Sequence, residues 1–392
     1  MPGSALLRRI NQARVLRLLK EQASLSRAEI ARYLDLTRST VTLVTAGLLT
    51  DRLIVPTGEL FVTQNTGRPG VGLKLNPEGA FFLGAEIGAD ELHLVLIDLS
   101  GAIIHRETQR HRTKSPKIIC RDLVSLVDKV WSKRLNHSDR LRGVGVAASA
   151  LLDTQGIVRK APTLGWRDFD LKNELLSKFS VPAFAENDAN AAALAELSFG
   201  GRIGCSDLCV LLLNFGIGAG IITGRTLFRG HSGLAGEIGH LCLDPSNHRS
   251  DEEWGPLESC IGRETLLQSY RGAGGQADDL QGFLSELRKG GAAARKSAEM
   301  WAEWLALAIS NLADIVNPQL IVLAGPLSEI YLFIDEKVRH WLRERKFPTV
   351  ANLEIQVSSF GRDAAALGGA ALVFNDMFSV PDASFLSGLS LR

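Results

Sequence analysis

A glycine-turned hairpin of apolar strands occurs twice in this chain of 392 residues. The first copy opens the segment FFLGAEIGADELHLVLIDLSG (residues 81–101), and the second is LCVLLLNFGIGAGIITG (residues 208–224). Apolar strands that follow one another across short turns indicate an antiparallel meander. Because helix and strand patterns alternate after each copy, the repeat predicts two similarly built α/β lobes with a cleft between them.

The charge of the chain is distributed unevenly. The formal net charge is +1, yet residues 1–74 hold eleven Lys and Arg against five Asp and Glu, whereas the remainder hold 33 against 38. A small basic head on a mildly acidic body indicates that the head alone meets a polyanion.

The composition argues against a membrane or secreted protein. No apolar run approaches the roughly 18 residues of a membrane span, and the amino terminus is polar and basic where a signal peptide is apolar. The five cysteines form no disulfide pattern, and we interpret them as buried thiols in a reducing compartment. We therefore predict a cytoplasmic protein with no membrane partner.

Three short helices are predicted in the basic head. Residues 8–20 carry apolar side chains at helical spacing. Ser26 and Glu29 form a capping-box pattern before a second helix, and Thr37 is a good N-cap for a third helix from about residue 38 to 49. Two short helices separated by so few residues are typical of a helix-turn-helix.

The amino-terminal end of the third helix is the candidate DNA-reading surface. Val41, Val44 and Leu48 are expected to face the core, which leaves polar residues at the end that touches base edges in such proteins. Arginine pairs with guanine, and small hydroxyl residues contact bases or phosphates. We predict that double-stranded operator DNA is contacted by Arg38, Ser39, Thr40 and Thr42. A plain three-helix packing element with a polar surface is the alternative.

A wing and a linker are predicted after these helices. Strands at about residues 53–55 and 60–62 would turn at Pro56, Thr57 and Gly58, and TGRPG (residues 66–70) breaks regular structure. Arg68 in this linker is a candidate for a minor-groove or phosphate contact, with a solvated linker arginine as the alternative. The predicted limits are residues 1–66 for the head and 67–79 for the linker.

Several motifs in the body resemble the ROK family (repressors, open reading frames and kinases), and within it the branch of xylose and N-acetylglucosamine repressors. The motifs are GIGAG (216–220), Gly230, AGEIGH (235–240), ENDAN (186–190) and LE (257–258). The resemblance implies an actin-like ATPase (ribonuclease H-like) two-lobed α/β domain, preceded here by a winged helix-turn-helix. We place the first lobe at residues 80–186, completed by a helix at about 363–376, the second at 187–362, and a tail at 377–392.

The resemblance also implies a sugar site between the lobes. Such a site needs carboxylates and amides that bind vicinal hydroxyls. The residues that match the family motif are Asn187, Asp188, Glu237, His240 and Glu258. Asp188 resembles the general base of the family kinases, and a helix N-cap is its alternative role. Ser149, Ala150 and Thr163 depart from the family pattern, which leaves the identity of the sugar open.

Three departures argue against phosphoryl transfer. EIGAD (86–90) places the Asp90 carboxylate where family kinases have a phosphate-binding threonine, and a carboxylate repels a triphosphate. Phe215 adds bulk to the second phosphate segment, and the AGP segment (324–326) departs from the adenosine loop. We therefore expect no cofactor and no enzymatic activity.

The structural zinc of the family is not expected either. Family members hold it with the histidine of the AGEIGH-like motif and three cysteines, whereas this chain has Arg249, Asp251 and Pro256 at the cysteine positions. Tetrahedral zinc needs four nitrogen or sulfur donors, and only His240 remains. Cys242 and His248 are the weaker candidates for replacement ligands.

The sequence thus predicts a regulator of carbohydrate uptake or catabolism genes, most simply a repressor. Its partners would be operator DNA and a sugar or sugar phosphate effector, and it would act as a homodimer or a dimer of dimers. Two alternatives are a ROK-type ATP-dependent hexose kinase with a DNA-binding appendage and a regulator controlled by a protein partner.

Overall fold

The computed structural model describes residues 4–61, 70–132, 139–202, 204–242 and 255–379. The predicted Arg68 and residues 380–392 of the tail lie outside this part of the chain, as does most of the loop between His240 and Gly255.

The three predicted helices of the head are confirmed. They are α1 (Ser4–Glu21), α2 (Arg27–Leu34) and α3 (Arg38–Thr50). The Glu29 carboxylate accepts hydrogen bonds from the Ser26 backbone N–H and hydroxyl, both at 2.8 Å, so the capping box is present. Thr37 caps α3, and Val41, Val44 and Leu48 are buried, as predicted.

The wing was predicted wrongly. The head contains a sheet of three strands in the order β1-β3-β2, formed by β1 (Leu25–Ser26), β2 (Ile54–Phe61) and β3 (Gly70–Leu75). The residues Pro56, Thr57 and Gly58 lie within β2, where the antiparallel pairing with β3 shifts register, and they do not form the predicted turn. Because β3 lies in the predicted linker, residues 70–75 belong to the sheet of the head.

The first lobe is built on a five-stranded sheet in the order β11-β7-β4-β5-β6. Its strands are β4 (Phe81–Ile87), β5 (Glu91–Asp98), β6 (Ile103–Arg110), β7 (Leu141–Ala148) and β11 (Ala183–Asn187). The predicted meander β4-β5-β6 is confirmed, because its neighbours pair antiparallel. A small sheet joins β8 (Leu151–Leu152), β9 (Ile157–Ala161) and β10 (Trp166–Asp170), and the helices are α4 (Pro116–Ser132) and α5 (Leu171–Leu176).

The second lobe has its own five-stranded sheet in the order β14-β13-β12-β15-β16. The strands are β12 (Leu208–Leu213), β13 (Ile217–Thr223), β14 (Thr226–Leu227), β15 (Leu320–Ala324) and β16 (Glu354–Val357). Its helices are α7 (Pro256–Ile261), α8 (Arg263–Gly272), α9 (Leu280–Arg288), α10 (Ala292–Val316), α11 (Tyr331–Glu344) and α12 (Pro348–Ala351). Each lobe therefore begins with an antiparallel hairpin followed by parallel strands.

Two helices rich in small residues connect the lobes. They are α6 (Asp188–Phe199), which joins the two sheets in sequence, and α13 (Ala364–Phe378), which packs on α6 and on β4 and β7 of the first sheet. A Cβ atom at Gly145 of β7 would lie 1.8 Å from the Gly369 carbonyl of α13, so the close approach requires glycine there. Short 3-10 helices complete the chain at Pro77–Gly79, Ile238–His240, Pro326–Ile330 and Gly361–Asp363.

Two further expectations concern membrane-spanning helices and the burial of the cysteines. Among the described helices, none is both long and apolar enough to cross a bilayer. Cys120 and Cys209 are buried, but Cys205 and Cys260 are only partly buried and Cys242 is exposed, so the prediction of buried thiols holds for two positions.

Candidate ligand-binding cleft and DNA-facing helix

A cavity of about 620 Å³, open to solvent, lies between the two lobes. The structure brings all five residues predicted from the family motif to its wall, namely Asn187, Asp188, Glu237, His240 and Glu258. Asn187 ends β11 of the first lobe and Asp188 begins α6, and the other three come from the second lobe. The cleft predicted from the repeated hairpins is therefore present.

Asn187 and Asp188 stand at the start of α6. The Asn187 side chain accepts a hydrogen bond from the Asn190 backbone N–H at 3.0 Å and donates one to the Ala150 carbonyl at 3.1 Å. Asn187 is thus the N-cap, and the alternative role suggested for Asp188 is wrong, since Asp188 is the first residue of the helix. One Asp188 oxygen accepts a hydrogen bond from the Ala189 backbone N–H at 2.9 Å, which fixes the carboxylate at the start of α6.

Asp188 accepts a short hydrogen bond from the Ser149 hydroxyl at 2.5 Å. Burial raises the pKa of Asp188 to about 6, and the nearby Glu258 carboxylate adds to that rise. At pH 7 this carboxyl is therefore mostly ionised and acts as an acceptor. Ser149, which the sequence analysis noted only as a departure from the family pattern, orients it.

Glu237 precedes a single turn of 3-10 helix, Ile238–His240, and His240 ends it. Burial, followed by the charges of Asp188 and Glu258, raises the pKa of Glu237 to about 8. At pH 7 Glu237 thus mostly keeps its proton and can donate a hydrogen bond, while Asp188 accepts one. A hydroxyl-bearing ligand needs such a donor and acceptor pair.

Glu258 is fixed by the backbone of the second lobe. Its carboxylate accepts hydrogen bonds from the Ile217 N–H at 3.1 Å and the Gly255 N–H at 3.3 Å. A Cβ atom at Gly216 would lie 1.7 Å from a Glu258 oxygen, so only glycine permits this approach. Burial raises the pKa of Glu258. Partial burial lowers the pKa of His240, and the positive charge of Lys160 makes a smaller contribution in the same direction.

The charge of the cavity is negative. Its described lining contains three carboxyl groups and no lysine or arginine, and Lys160 is the neighbouring cation. The Thr163 hydroxyl, which also belongs to the lining, is buried without a hydrogen-bond partner among the described residues. A buried hydroxyl without a partner is costly, so a ligand hydroxyl would satisfy it.

The predicted DNA-contacting residues lie together at the start of α3. Arg38, Ser39 and Thr42 are exposed, and Thr40 is partly exposed. The hydroxyls are engaged within the helix end: Thr37 contacts the hydroxyls of Ser39 and Thr40 at 3.0 and 2.8 Å. Thr42 donates to the Arg38 carbonyl at 2.8 Å. Arg38 therefore remains the exposed charged group of this set.

The head contacts the end of α6 that lies opposite the cavity. Lys20 of α1 donates to the Ser198 carbonyl at 3.0 Å, and its ammonium lies 4.5 Å from the centre of the Phe374 ring of α13. Arg17 donates to the Phe378 carbonyl at 3.2 Å. One helix thus begins in the cavity and ends against the head.

Comparison with known proteins identifies the family. A model described as the ROK family matches residues 82–376, which is more than half of the chain.

The chain belongs to the ROK family.

Three relatives illustrate its range. A xylose repressor of Caldicellulosiruptor bescii is 29% identical over 399 residues, covering 97% of this chain and 100% of that protein. A ROK family transcriptional regulator, described as a homologue of the E. coli Mlc protein, has a TM-score of 0.79 at 23% identity and covers 95% of this chain and 97% of its own. A ROK glucokinase from Streptomyces griseus in complex with glucose and AMPPNP has a TM-score of 0.65 at 24% identity, over 75% of this chain and 99% of its own.

Asp90 and Phe215 replace residues of the phosphate-binding segments of ROK kinases. In the structure they share a contact that was not predicted from the sequence. The Arg263 guanidinium at the start of α8 lies 3.4 Å from the centre of the Phe215 ring, and 3.8 Å from a carboxylate oxygen of Asp90. Asp90 belongs to the first lobe and the other two to the second, so the departures Asp90 and Phe215 share one partner across the cleft. In the sequence, the only signals were the two separate departures of Asp90 and Phe215 from the family pattern, because these residues lie far apart along the chain.

The absence of the zinc site of the ROK family stays a prediction, because residues 243–254 lie outside the described part of the chain. Among the described residues, no group of three or more His, Cys, Asp or Glu side chains could hold a metal ion. His240 instead lines the cavity, and His248 lies outside the described part of the chain.

Proposed function

We propose that this ROK protein is a sugar-responsive DNA-binding transcriptional regulator, acting as a repressor of carbohydrate uptake or catabolism genes in the cytoplasm. The observation that carries the proposal is α6, whose first residue Asp188 lines the cavity and whose Ser198 carbonyl binds Lys20 of the head. The match to a xylose repressor along 97% of the chain supports the same role.

The head is a winged helix-turn-helix in this proposal. The helices α2 and α3 are separated by three residues, and Asp35 among them adopts the left-handed conformation with φ of 51°. The sheet of β2 and β3 stands where a wing is expected, and Arg38 lies exposed at the start of the recognition helix. The uneven charge of the chain favours contact between this head and DNA.

The effector is a neutral sugar rather than a sugar phosphate. A phosphate in the cavity would face Asp188 and Glu258 at short range. Lys160 is a neighbouring positive charge, and Arg263 on the cavity-lining Phe215 ring is opposed by Asp90. Hydroxyl groups, in contrast, are matched by the Asp188 acceptor, the Glu237 donor and the Thr163 hydroxyl.

The protein is a regulator without phosphoryl transfer in this proposal. Asp188 retains the position of a kinase base, but Arg263 lies against Phe215 and near Asp90 where the phosphates of ATP would enter. The Asp90 carboxylate further repels a triphosphate. Sugar binding then changes the orientation of the lobes, and with it the spacing of two recognition helices in a homodimer or a dimer of dimers.

The proposal is tested first by DNA binding. Fluorescence anisotropy on duplexes selected from a random library should show specific binding that weakens with salt, because phosphate contacts release counterions. Arg38→Ala should weaken specific binding by about ten-fold, which is within the range for losing one arginine–guanine pair. Arg121→Ala, which removes an exposed arginine of α4 in the body, is the matched control. Equal effects of the two variants, or no selected sequence, would contradict the proposal.

A further inference from the structure

The middle of the exposed face of the recognition helix α3 carries two apolar side chains. Leu43 is 63% exposed in the middle of this helix, and Ala46 is exposed one turn further along. Single exposed apolar residues are common on protein surfaces. Leu43 lies between Ser39 and Ala46 on the face that meets DNA in the proposed function. In the complex it would therefore contact a base edge instead of water.

The polar groups beside Leu43 are already satisfied by the helix itself. Thr42 donates its hydroxyl to the Arg38 carbonyl, so the polar atom of this exposed side chain is engaged and the methyl group is its remaining part. Ser39 and Thr40 share the Thr37 hydroxyl at the helix start. The Thr42 hydroxyl therefore has no proton left to donate to a base or a phosphate, although it can still accept a hydrogen bond.

The apolar side chains in the middle of this face match one feature of the major groove, the methyl group of thymine. Thymine is the only base that presents a methyl group there, and apolar side chains recognise it by contact. Arg38 at the helix start supplies a donor for guanine or phosphate, and the net positive charge of the head brings it to DNA.

We infer that Leu43, together with the Thr42 methyl group and Ala46, reads thymine methyl groups in the operator half-site. This inference rests on the proposed DNA-binding function, and it names the base that the middle of α3 recognises. Specificity at these positions comes from burying apolar surface, with hydrogen bonds confined to the start of the helix.

The inference is tested by removing the methyl group from DNA. In duplexes selected from a random library, each half-site thymine is replaced in turn by deoxyuridine, and the Kd is measured by anisotropy. Wild-type protein should bind about three- to four-fold more weakly at one or two positions, as expected for losing one buried methyl contact. Leu43→Ala should bind the thymine duplex more weakly and lose its sensitivity to deoxyuridine at one of those positions.

Controls separate the possible failures. Leu332→Ala changes a leucine of α11 that is 68% exposed on the body, and it should leave both affinities unchanged. Specific binding by wild type that ignores deoxyuridine at every position would overturn the inference and leave the proposed function intact. An undiminished deoxyuridine effect in Leu43→Ala would overturn the role of Leu43, and failure to select any sequence would contradict the proposed function itself.

Discussion

Among the residues of the cavity, Glu237 has the environment that differs most from that of an ordinary glutamate. It is partly buried with Asp188 and Glu258 nearby, and its pKa is raised from 4.5 to about 8, chiefly by burial. Between these two pH values the folded chain holds a proton that the unfolded chain releases. Stability therefore falls as the pH rises from about 4.5 to 8, because the unfolded state binds fewer protons.

This linkage predicts the behaviour of Glu237→Gln. The variant has no proton to lose, so its melting temperature relative to wild type should rise between pH 5 and pH 8.5, by about 3 °C or more. Differential scanning calorimetry of the full chain without sugar measures it. Glu264→Gln, at an exposed glutamate of α8, is the control for removing one negative charge. A difference for Glu237→Gln that stays constant over this pH range would contradict the assigned environment.

Single residues also show what the sequence could and could not predict. The five cavity residues were predicted because each lies in a motif whose local pattern resembles the ROK family, and the structure places them around one cavity. The contact of Arg263 with Phe215 and Asp90 was missed, since it joins segments far apart in sequence that share no periodicity. Ser149 was identified only as a departure, because its hydrogen bond to Asp188 depends on the fold.

Among the elements, α6 has the arrangement that connects the two proposed sites. It contains 12 residues, so at about 1.5 Å per residue it spans about 18 Å from the cavity to the head. Its far end is tied to α13, because the Asn375 amide donates to the Ser198 hydroxyl at 3.0 Å. A displacement of its start by a ligand would therefore reach Lys20 as a shift of the Ser198 carbonyl.

The contact between α6 and Lys20 predicts that one substitution separates operator binding from the response to sugar. Lys20→Met keeps the aliphatic stem near Phe374 but removes the donor to Ser198. The factor by which sugar weakens operator binding should fall by about three-fold, or roughly 0.65 kcal/mol, which is part of the about 1.5 to 3 kcal/mol that a hydrogen bond from a charged group contributes. Anisotropy with and without saturating sugar gives this factor for each variant. Lys296→Met, at an exposed lysine of α10, is the control, and an unchanged factor in Lys20→Met would exclude this contact from the response.

The wing shows why one element of the head was mispredicted. Pro56, Thr57 and Gly58 are typical turn residues, and Gly58 does adopt a positive φ of 77°. The structure uses them for an irregularity inside β2, because the partner strand is β3, which begins nine residues after β2 ends. Helix capping is decided by residues three apart and was predicted, whereas strand pairing across such a distance was not.

The whole molecule combines a basic head with a two-lobed body whose cleft lies at the opposite end of α6. The head packs through α1 on the ends of α6 and α13, so movement of the lobes would shift the position of the head. In a symmetric dimer such movement alters the distance between two recognition helices, and hence operator affinity. Allosteric coupling of this kind is reciprocal, and its usual size is about 1 to 3 kcal/mol, or roughly 5- to 150-fold in affinity.

The most direct test of the account is the affinity of the protein for its effector, measured by calorimetry with and without saturating operator DNA. The effector is found beforehand in a panel of neutral sugars and their phosphates, with Asp188→Asn as the variant that should not bind it. The account predicts that a neutral sugar binds, that operator weakens this binding at least five-fold, and that sugar weakens operator binding by the same factor. Sugar binding that is indifferent to operator, or binding confined to a sugar phosphate, would contradict it.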